Sequence, residues 1–471
     1  MKLNMREILD ATRGHLAQGA PDAVITGVSI DSRRIAAEEL FVPLTGSNCD
    51  GHVFISDAFS KGARASLVQR GNALMPDLRK RFPDSVLIAI DCPLQALGDL
   101  ACFWRKKFDL PVVAITGSNG KTTTKEMVWQ IARLRCNAIR NPGNFNNLIG
   151  LPLSLLQLHK GHQVGIMEMG MSARGEIERL AAIALPQIGV ITNIGPAHLE
   201  HLQTMENIMA AKGELFAALT PDATAVVNQD DERVVRLAEK TRARIISFGM
   251  QTGDVRGTVI NQNGEGTVFM LDIMGARTAV TLALPGGMFL SNALAAAAVA
   301  HALHLPLDDI KNGLEQFQPM PGRMEIITLR GMHIINDAYN ANPVSVQASL
   351  TALSHMKKGQ RTIAVLGDML ELGERAAEFH RAAGSTAARI GIDYLYLCGS
   401  YAGSVAEGAL AEGMPAARIR VFATRELLAE QLGQEIQEGD WILVKGSRAT
   451  EMERTVSFLQ QPGGNNHQTM Q

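Results

Sequence analysis

The chain of 471 residues has no C-x-x-C pair. Its five cysteines, Cys49, Cys92, Cys102, Cys136 and Cys398, are scattered and odd in number. That distribution argues against a disulfide framework and against a zinc ribbon, and leaves buried free thiols in a reducing compartment as the expectation. An excess of one charge is also missing. Lys plus Arg number 45 and Asp plus Glu 47, a formal net charge of −2, so no nucleic acid and no anionic membrane is expected as a partner. A local patch for a phosphorylated ligand stays open. Nor is there a long hydrophobic run. The start, MKLNMREILDATRGHL, has the apolar spacing of an ordinary helix and lacks the apolar stretch of a signal peptide. The most apolar later segment, Ala293 to Leu307, is interrupted by His301, His304 and Pro306 and is too short to span a bilayer. No membrane insertion is expected, and the cytoplasm is the expected location. No internal repeat is found.

What is present is the composition of a globular protein, 46% hydrophobic and 20% charged, which excludes disorder as the main state. At roughly 150 residues per domain the length suggests about three domains. From Pro111 onward short apolar runs alternate with helical patterns. Strands are expected at Pro111–Thr116, Val164–Met169 and Ile188–Thr192, and helices at Lys121–Arg135, near Gly175–Ala184 and at Thr204–Leu219. Such alternation marks a mostly parallel sheet covered on both faces. Residues 255–284 break the rhythm and read as an antiparallel hairpin turning at Gly275. A second alternating block, with strands at Met332–Asn336, Thr362–Leu366, Tyr394–Cys398, Ile419–Phe422 and Trp441–Val444, suits a smaller doubly wound sheet. The first 90 residues are less regular, with strands near Glu39–Val42, Ala65–Val68 and Val86–Ile90 before a helix at Gln95–Phe108. The fold class is therefore α/β in three domains, placed at 1–93, 94–320 and 321–460, with a polar frayed tail at 461–471.

The sharpest motif is Thr116-Gly117-Ser118-Asn119-Gly120-Lys121-Thr122-Thr123, between a strand and a helix. Glycines let backbone N–H groups turn toward phosphate oxygens, and the helix N-terminus adds its positive end. Lys121 would reach the terminal phosphates and the Thr122 hydroxyl would ligate Mg²⁺. The spacing departs from G-x-x-x-x-G-K-[ST], since Ile115 stands at the first glycine position. The bland alternative is a glycine turn followed by a surface lysine.

Other candidates are weaker alone. Glu168 ends an apolar strand on the side where ligands of open α/β sheets collect, and a carboxylate there calls for a cation. His198 follows the next strand, although a lone histidine is more often structural. Lys212 lies in the helical run MENIMAAKGELF, where lysines are mostly solvated. Asn144-Phe-Asn146-Asn147 offers either turn chemistry or hydrogen bonds for a polar ligand. Asp337-Ala-Tyr-Asn340-Ala-Asn342-Pro343 and Lys445-Gly-Ser447-Arg448 each follow a strand of the last block, where capping roles compete with ligand binding.

Taken in order, Gly117–Thr122, Glu168, Asn193–Glu200, Ala211-Lys-Gly-Glu214, Asn292-Ala-Leu-Ala295 and Pro321-Gly-Arg323 resemble the Mur ligases, the cytoplasmic ATP-dependent ligases of peptidoglycan precursor synthesis. The resemblance spans nearly the whole chain. Within the family, Asp337–Pro343, Leu366-Gly-Asp-Met-Leu-Glu-Leu-Gly373 and Val444–Arg448 are similar to the segments of members that add D-alanyl-D-alanine.

The resemblance implies an N-terminal uridine-nucleotide-binding domain, a central P-loop ATPase and a C-terminal Rossmann-like domain. It implies ATP, two Mg²⁺ ions and two small-molecule substrates, UDP-N-acetylmuramoyl-tripeptide and D-alanyl-D-alanine, joined through an acyl phosphate by a monomer. Lys121, Lys212, His198 and Arg323 take the catalytic positions. Thr122, Glu168, His198 and a carbamylated Lys212 match metal ligands. Asn292 matches an adenine contact, Arg323 a phosphate contact and Asp337 a ribose contact. Ser29, Asp31, Ser32, Arg33 and Asp50 fall where the uridine diphosphate end is held. Asn146, Asn147, Asn340, Asn342, Lys445, Ser447 and Arg448 fall on the substrate side. In one departure, Met288-Phe289 stands where the family usually has His-Asn, which puts the lining of the adenine pocket in question. The rivals are the third-amino-acid-adding ligase, a folylpolyglutamate synthetase-like ligase and, in another class, a nucleotide-dependent switch.

Overall fold

The computed structural model describes residues 1–46, 49–263, 266–283, 286–356 and 359–461. The expected frayed tail lies, Gln461 apart, outside the described residues. Three larger sheets follow one another along the chain, of five, nine and six strands.

In the first sheet Gly27–Ser29, Glu39–Phe41, Ala65–Gln69 and Val86–Ile90 run parallel and His15–Gln18 is added antiparallel. The opening segment is not one helix. Asn4 caps a helix confined to Met5–Thr12, and Arg13 ends it in a left-handed conformation (φ 52°), so the chain can turn back into the strand at His15. Helix Pro93–Arg105 then packs between this unit and the next, burying Leu97, Leu100 and Ala101 in a core shared by both.

In the nine-stranded sheet Val112–Thr116 is third from one edge, flanked by Val164–Glu168 on one side and Ile188–Ile191 on the other. All three are buried along their whole length, which is why they are apolar without alternation. The chain winds first one way and then the other from Val112–Thr116, so a crevice opens at the strands' C-terminal ends. Strands Thr224–Asn228 and Arg244–Gly249 extend the sheet. The expected hairpin is a three-strand meander: Val255–Asn263 joins Gly266–Ile273 and Ala276–Leu282. Its first strand, rich in polar residues, pairs with the meander along one edge but with Arg244–Gly249 only at Val255 and Arg256. Helix Gly287–Ala302 is buried on nearly every face from Ala293 to Ala300 and packs on helix Lys121–Ala132. Among the described residues no helix is long and apolar enough to cross a membrane.

The six-stranded sheet places Trp441–Lys445 between Met332–Asp337 and Thr362–Leu366, with Asp337 and Leu366 both level with Lys445. Its antiparallel edge strand, Glu325–Leu329, is absent from the sequence reading. The cysteines are all free, but only Cys398 is buried; Cys49 is exposed and the other three are half-buried. The expectation of buried thiols therefore holds for one of them.

The six-stranded unit depends on close contact between helices Ala376–Arg389 and Ala402–Ala411. A Cβ on Gly384 would sit 1.9 Å from the Val405 carbonyl oxygen, and one on Gly408 would sit 1.9 Å from that of Arg381. Gly384→Val is expected to push the helices apart and cost about 2 kcal/mol or more, read as a lower denaturant midpoint for this unit, while Gly403→Ala, which meets open space, leaves it unchanged.

Candidate functional site

The crevice of the central sheet and the strand ends of the six-stranded sheet face each other across one cleft of about 490 Å³. The first wall is the loop after Val112–Thr116. Gly117 has φ 147°, and a Cβ there would lie 1.9 Å from Thr192 Oγ1. The close approach lets the neighbouring strand end hold the loop. Ser118 Oγ donates to the Gly195 carbonyl at 2.9 Å and accepts from the Gly195 N–H at 2.8 Å. The Asn119 N–H donates to Asn193 Oδ1 at 2.9 Å, and Thr192 Oγ1 donates to the Asn119 carbonyl at 2.6 Å. Gly120 has φ 80° and starts helix Lys121–Ala132 against Asn292, whose Oδ1 would be 2.2 Å from a Cβ at that position. The loop is thus fixed from two sides.

The loop also carries unmet hydrogen-bonding capacity. Thr116 Oγ1 and Asn119 Nδ2 are buried without partners, and buried polar atoms of this kind call for a ligand or water. Lys121 lines the cleft and folds back on its own loop, donating to the Gly117 carbonyl at 2.8 Å and the Ser118 carbonyl at 3.4 Å. Burial pushes its pKa below the ordinary lysine value, opposed by Glu168 and assisted by Arg323.

Glu168 is 2% exposed. Its Oε2 accepts from Thr122 Oγ1 at 2.7 Å and its Oε1 from Asn146 Nδ2 at 2.7 Å. Thr122 and Glu168 thus bring two hard oxygen donors together, the chemistry Mg²⁺ prefers. No cluster of three or more His, Cys, Asp or Glu side chains suited to a metal occurs among the described residues. The donor set fits an ion that takes most of its oxygens from phosphate and water.

Lys212 is 1% exposed and does not line the cleft; it lies behind the loop, donating to the Gly117 carbonyl at 3.1 Å. Burial, then the charge of Lys121, drives its pKa well below the ordinary value. An amine in that setting loses its proton more readily than an ordinary lysine. The reading of this lysine as an ordinary solvated helix residue does not fit its burial.

His198 caps a short helix with left-handed backbone (φ 59°) and lines the cleft. Its Nδ1 is 2.6 Å from Oε2 of Glu371, a residue of the six-stranded unit that the sequence did not single out except as part of Leu366–Gly373. The carboxylate can only accept, so Nδ1 carries a proton, and in the neutral ring Nε2 is the nitrogen with the lone pair. The Glu200 N–H donates to the Glu371 carbonyl at 3.1 Å. A second tie, Asn342 Nδ2 to Asn119 Oδ1 at 2.7 Å, joins the six-stranded unit to the phosphate loop itself.

Across the cleft the Arg323 guanidinium lies 3.9 Å from the Tyr339 ring centroid, and the Arg448 guanidinium 5.7 Å from it. Asp337 is largely engaged within the protein: Oδ1 accepts from the Met324 N–H at 3.1 Å, and Oδ2 accepts from Ser349 Oγ at 2.7 Å and from the buried Lys445 ammonium. Lys445 donates as well to the Asn340 carbonyl at 3.0 Å. Ser447 is buried, donating to the Ala341 carbonyl at 3.3 Å and accepting from the Leu370 N–H at 2.8 Å, so it ties strand ends together. Asn147 caps the helix at Gly150 through Oδ1 (2.9 Å) while also lining the cleft.

Thr123, Asn292 and Asn340 line the same cleft, and so do Met288 and Phe289 from the departing segment. The N-terminal candidates do not. Asp31 pairs with the exposed Arg33 guanidinium through two 2.9 Å hydrogen bonds, which hold its carboxyl down to about 2. Ser29 Oγ donates to the Asp31 carbonyl at 3.0 Å, Ser32 is buried, and Asp50 accepts from buried His52 at 2.6 Å.

Comparisons with known proteins agree with one another. Residues 24–105 match the Mur ligase family catalytic domain, 115–300 the Mur ligase middle domain and 322–448 the Mur ligase glutamate ligase domain. The chain is 33% identical to the UDP-N-acetylmuramoyl-tripeptide–D-alanyl-D-alanine ligase of Bacillus subtilis, over 98% of each chain. It superposes on a crystal structure of MurF from Acinetobacter baumannii with a TM-score of 0.89 at 31% identity, covering 98% of this chain and 99% of the other. A MurF ligase of Thermotoga maritima in complex with ADP superposes with a TM-score of 0.82 at 29% identity, covering 92% and 96%.

The cramped Gly117 gives a direct check on the loop. Gly117→Ala is expected to displace it from Thr192 and weaken ADP binding about tenfold or more, measured by titration calorimetry, with the circular dichroism of the fold retained.

Proposed function

The chain belongs to the Mur ligase family, and on that premise we propose that it joins D-alanyl-D-alanine to UDP-N-acetylmuramoyl-tripeptide with hydrolysis of ATP to ADP and phosphate. The observation that carries the reading is the shared cleft. A phosphate loop with unmet polar atoms faces arginine and aromatic side chains of a second α/β unit, and the two are tied by Asn119–Asn342 and His198–Glu371.

A carboxylate is a poor electrophile because its charge is shared by two oxygens. In the proposed reaction the tripeptide's terminal carboxylate attacks the γ-phosphorus, ADP leaves, and the acyl phosphate takes the free amine of the dipeptide. Phosphate then departs from the tetrahedral adduct. Phosphoryl transfer of this kind asks the protein for position and charge. Lys121 supplies a cation at the loop, and Arg323, held against Tyr339, supplies another from the opposite wall. Mg²⁺, held by Thr122 and Glu168, would neutralise phosphate oxygens so that one anion can approach another. His198 through Nε2 and a carbamate on Lys212 are the candidates for holding a second Mg²⁺. The unit bearing Glu371 and Asn342 covers the cleft and keeps water from the acyl phosphate.

Asn292 and the flanking Met288 and Phe289 are proposed to receive the adenine, and Asp337 the ribose. Asn146, Asn147, Asn340, Asn342, Lys445 and Arg448 would position the peptide substrates, with Ser447 fixing the loop between them. Ser29, Asp31, Ser32, Arg33 and Asp50 would hold the uridine diphosphate end on the first unit. Domain limits near 93 and 320, a monomer and a cytoplasmic location complete the proposal.

Incubating the purified protein with ATP, Mg²⁺, D-alanyl-D-alanine and the UDP-tripeptide should give the UDP-pentapeptide by mass spectrometry; phosphate release without it contradicts the assignment. Lys121→Ala should lower turnover by about 10²–10³-fold with the fold intact. Lys212→Ala should be slow and partly restored by a short-chain carboxylic acid. Because burial lowers the Lys212 pKa, its amine loses its proton at a lower pH than an ordinary lysine, and carbamate-dependent activity should be full above that pKa and decline as pH falls through it. A carbon dioxide requirement independent of pH would count against the carbamate.

A further inference from the structure

Lys125 has no part in the chemistry described above, yet it is among the largest side chains of the molecule with no exposure at all. It follows Thr122 by one helical turn, so both project from one face of helix Lys121–Ala132 toward strand Val164–Glu168. Both meet the same carboxylate oxygen: Thr122 Oγ1 at 2.7 Å and Lys125 Nζ at 3.9 Å from Glu168 Oε2. Lys125 does not line the cleft, so it stands behind the carboxylate while Thr122 stands at its open side.

The surroundings of this ammonium are built. It donates to the Asn141 carbonyl at 2.8 Å and lies 3.3 Å from Glu126 Oε1. Asn141, itself fully buried, clamps the backbone of Glu168 on both sides. Its Oδ1 accepts from the Glu168 N–H at 2.9 Å, and its Nδ2 donates to the Glu168 carbonyl at 3.0 Å. Glu126 is met from outside by Arg140 at 2.8 Å, and the Arg140 guanidinium stacks 3.4 Å from the Trp129 ring centroid. The charges therefore alternate from the surface inward: Arg140, Glu126, Lys125, Glu168. Arg140 already answers Glu126, so the Lys125 charge, 3.3 Å from Glu126 and 3.9 Å from Glu168, is available to both carboxylates, and Lys121 is the other cation that acts on Glu168.

We propose that Lys125 is a positioning residue: a built-in counter-cation that holds the Glu168 carboxylate in place, facing Thr122, before a metal ion arrives. An isolated carboxylate this deeply buried is costly, and without a cation it would turn toward water or another donor. With Lys125 behind it, the carboxylate stays charged and in place in the metal-free protein, and an arriving Mg²⁺ takes over part of a charge that Lys125 already balances. Two cations then share one carboxylate, so each weakens the other's hold. This inference rests on Glu168 being a metal ligand.

The test compares melting midpoints of wild type and Lys125→Met at fixed pH, with EDTA, with ADP plus EDTA, and with ADP plus Mg²⁺. The role predicts that Lys125→Met loses about 5 °C or more in EDTA, and that Mg²⁺ over metal-free ADP raises its midpoint by about 2 °C or more beyond the wild-type gain. An equal or smaller gain in the variant makes Lys125 a packing residue and overturns the proposal. A wild type that gains nothing from Mg²⁺ removes the metal reading of Glu168 itself, and the proposal with it. If Lys125→Met does not fold, the double variant Lys125→Met/Glu168→Gln decides: with both charges gone it should fold and melt above the single variant, and failure to do so overturns the counter-cation role. Lys125→Arg, which keeps the charge, should bring the gain from Mg²⁺ back toward wild type; a gain as large as that of Lys125→Met overturns it.

Discussion

A carboxylate buried at the end of an apolar strand must be answered by protons or cations, and the answer given to Glu168 organises the middle of this protein. Thr122 comes to it from the phosphate-loop helix, Asn146 from the loop after Ala138–Arg140, Asn141 from the same loop, and Lys125 from behind. They come from two short stretches, Thr122 with Lys125 and Asn141 with Asn146. Each is carried there by a sheet in which Val112–Thr116 has neighbours wound in opposite directions. The loop that precedes the helix has little freedom once this is satisfied. Gly117 is pressed on Thr192 and Gly120 on Asn292, so a second set of contacts, beside those at the carboxylate, fixes the backbone groups that would meet phosphate.

The second constraint is the excess of positive charge around that loop. Lys121 and Lys212 both donate to the Gly117 carbonyl. Burial first, and then repulsion between two ammonium groups sharing one oxygen, draw the Lys212 pKa well below the ordinary lysine value. The facing unit continues the theme, with Arg323 and Arg448 gathered about Tyr339. Polyanionic ligands are what this assembly of cations and empty donors can accept.

Much of the architecture was legible in the sequence. Buried parallel strands write themselves as short apolar runs, and Pro111–Thr116, Val164–Met169 and Ile188–Thr192 each correspond to a strand within a residue or two. Thr224–Asn228 escaped although it is buried like the others, and so did strands with weaker patterns. Val255–Asn263 alternates polar residues, Arg244–Gly249 begins on exposed positions, and Glu325–Leu329 is a half-buried edge. In the site, the phosphate loop and the strand-end position of Glu168 were readable from spacing. Lys125 was not, because a lysine on a helix looks the same in sequence whether its face meets water or a buried glutamate. Its offset of three from Thr122 was the available signal. Glu371 and the pairing of Asn119 with Asn342 could not be read at all, since they depend on how two separate sheets face each other.

The central claim is that cations gathered at the end of the middle sheet allow a carboxylate to attack the γ-phosphorus of ATP and so become activated for coupling to an amine. The most direct measurement follows oxygen. With the terminal carboxylate of the UDP-tripeptide labelled with oxygen-18, the account predicts that one labelled oxygen appears in inorganic phosphate for each peptide bond formed. Phosphate that carries no label while the pentapeptide accumulates would contradict it.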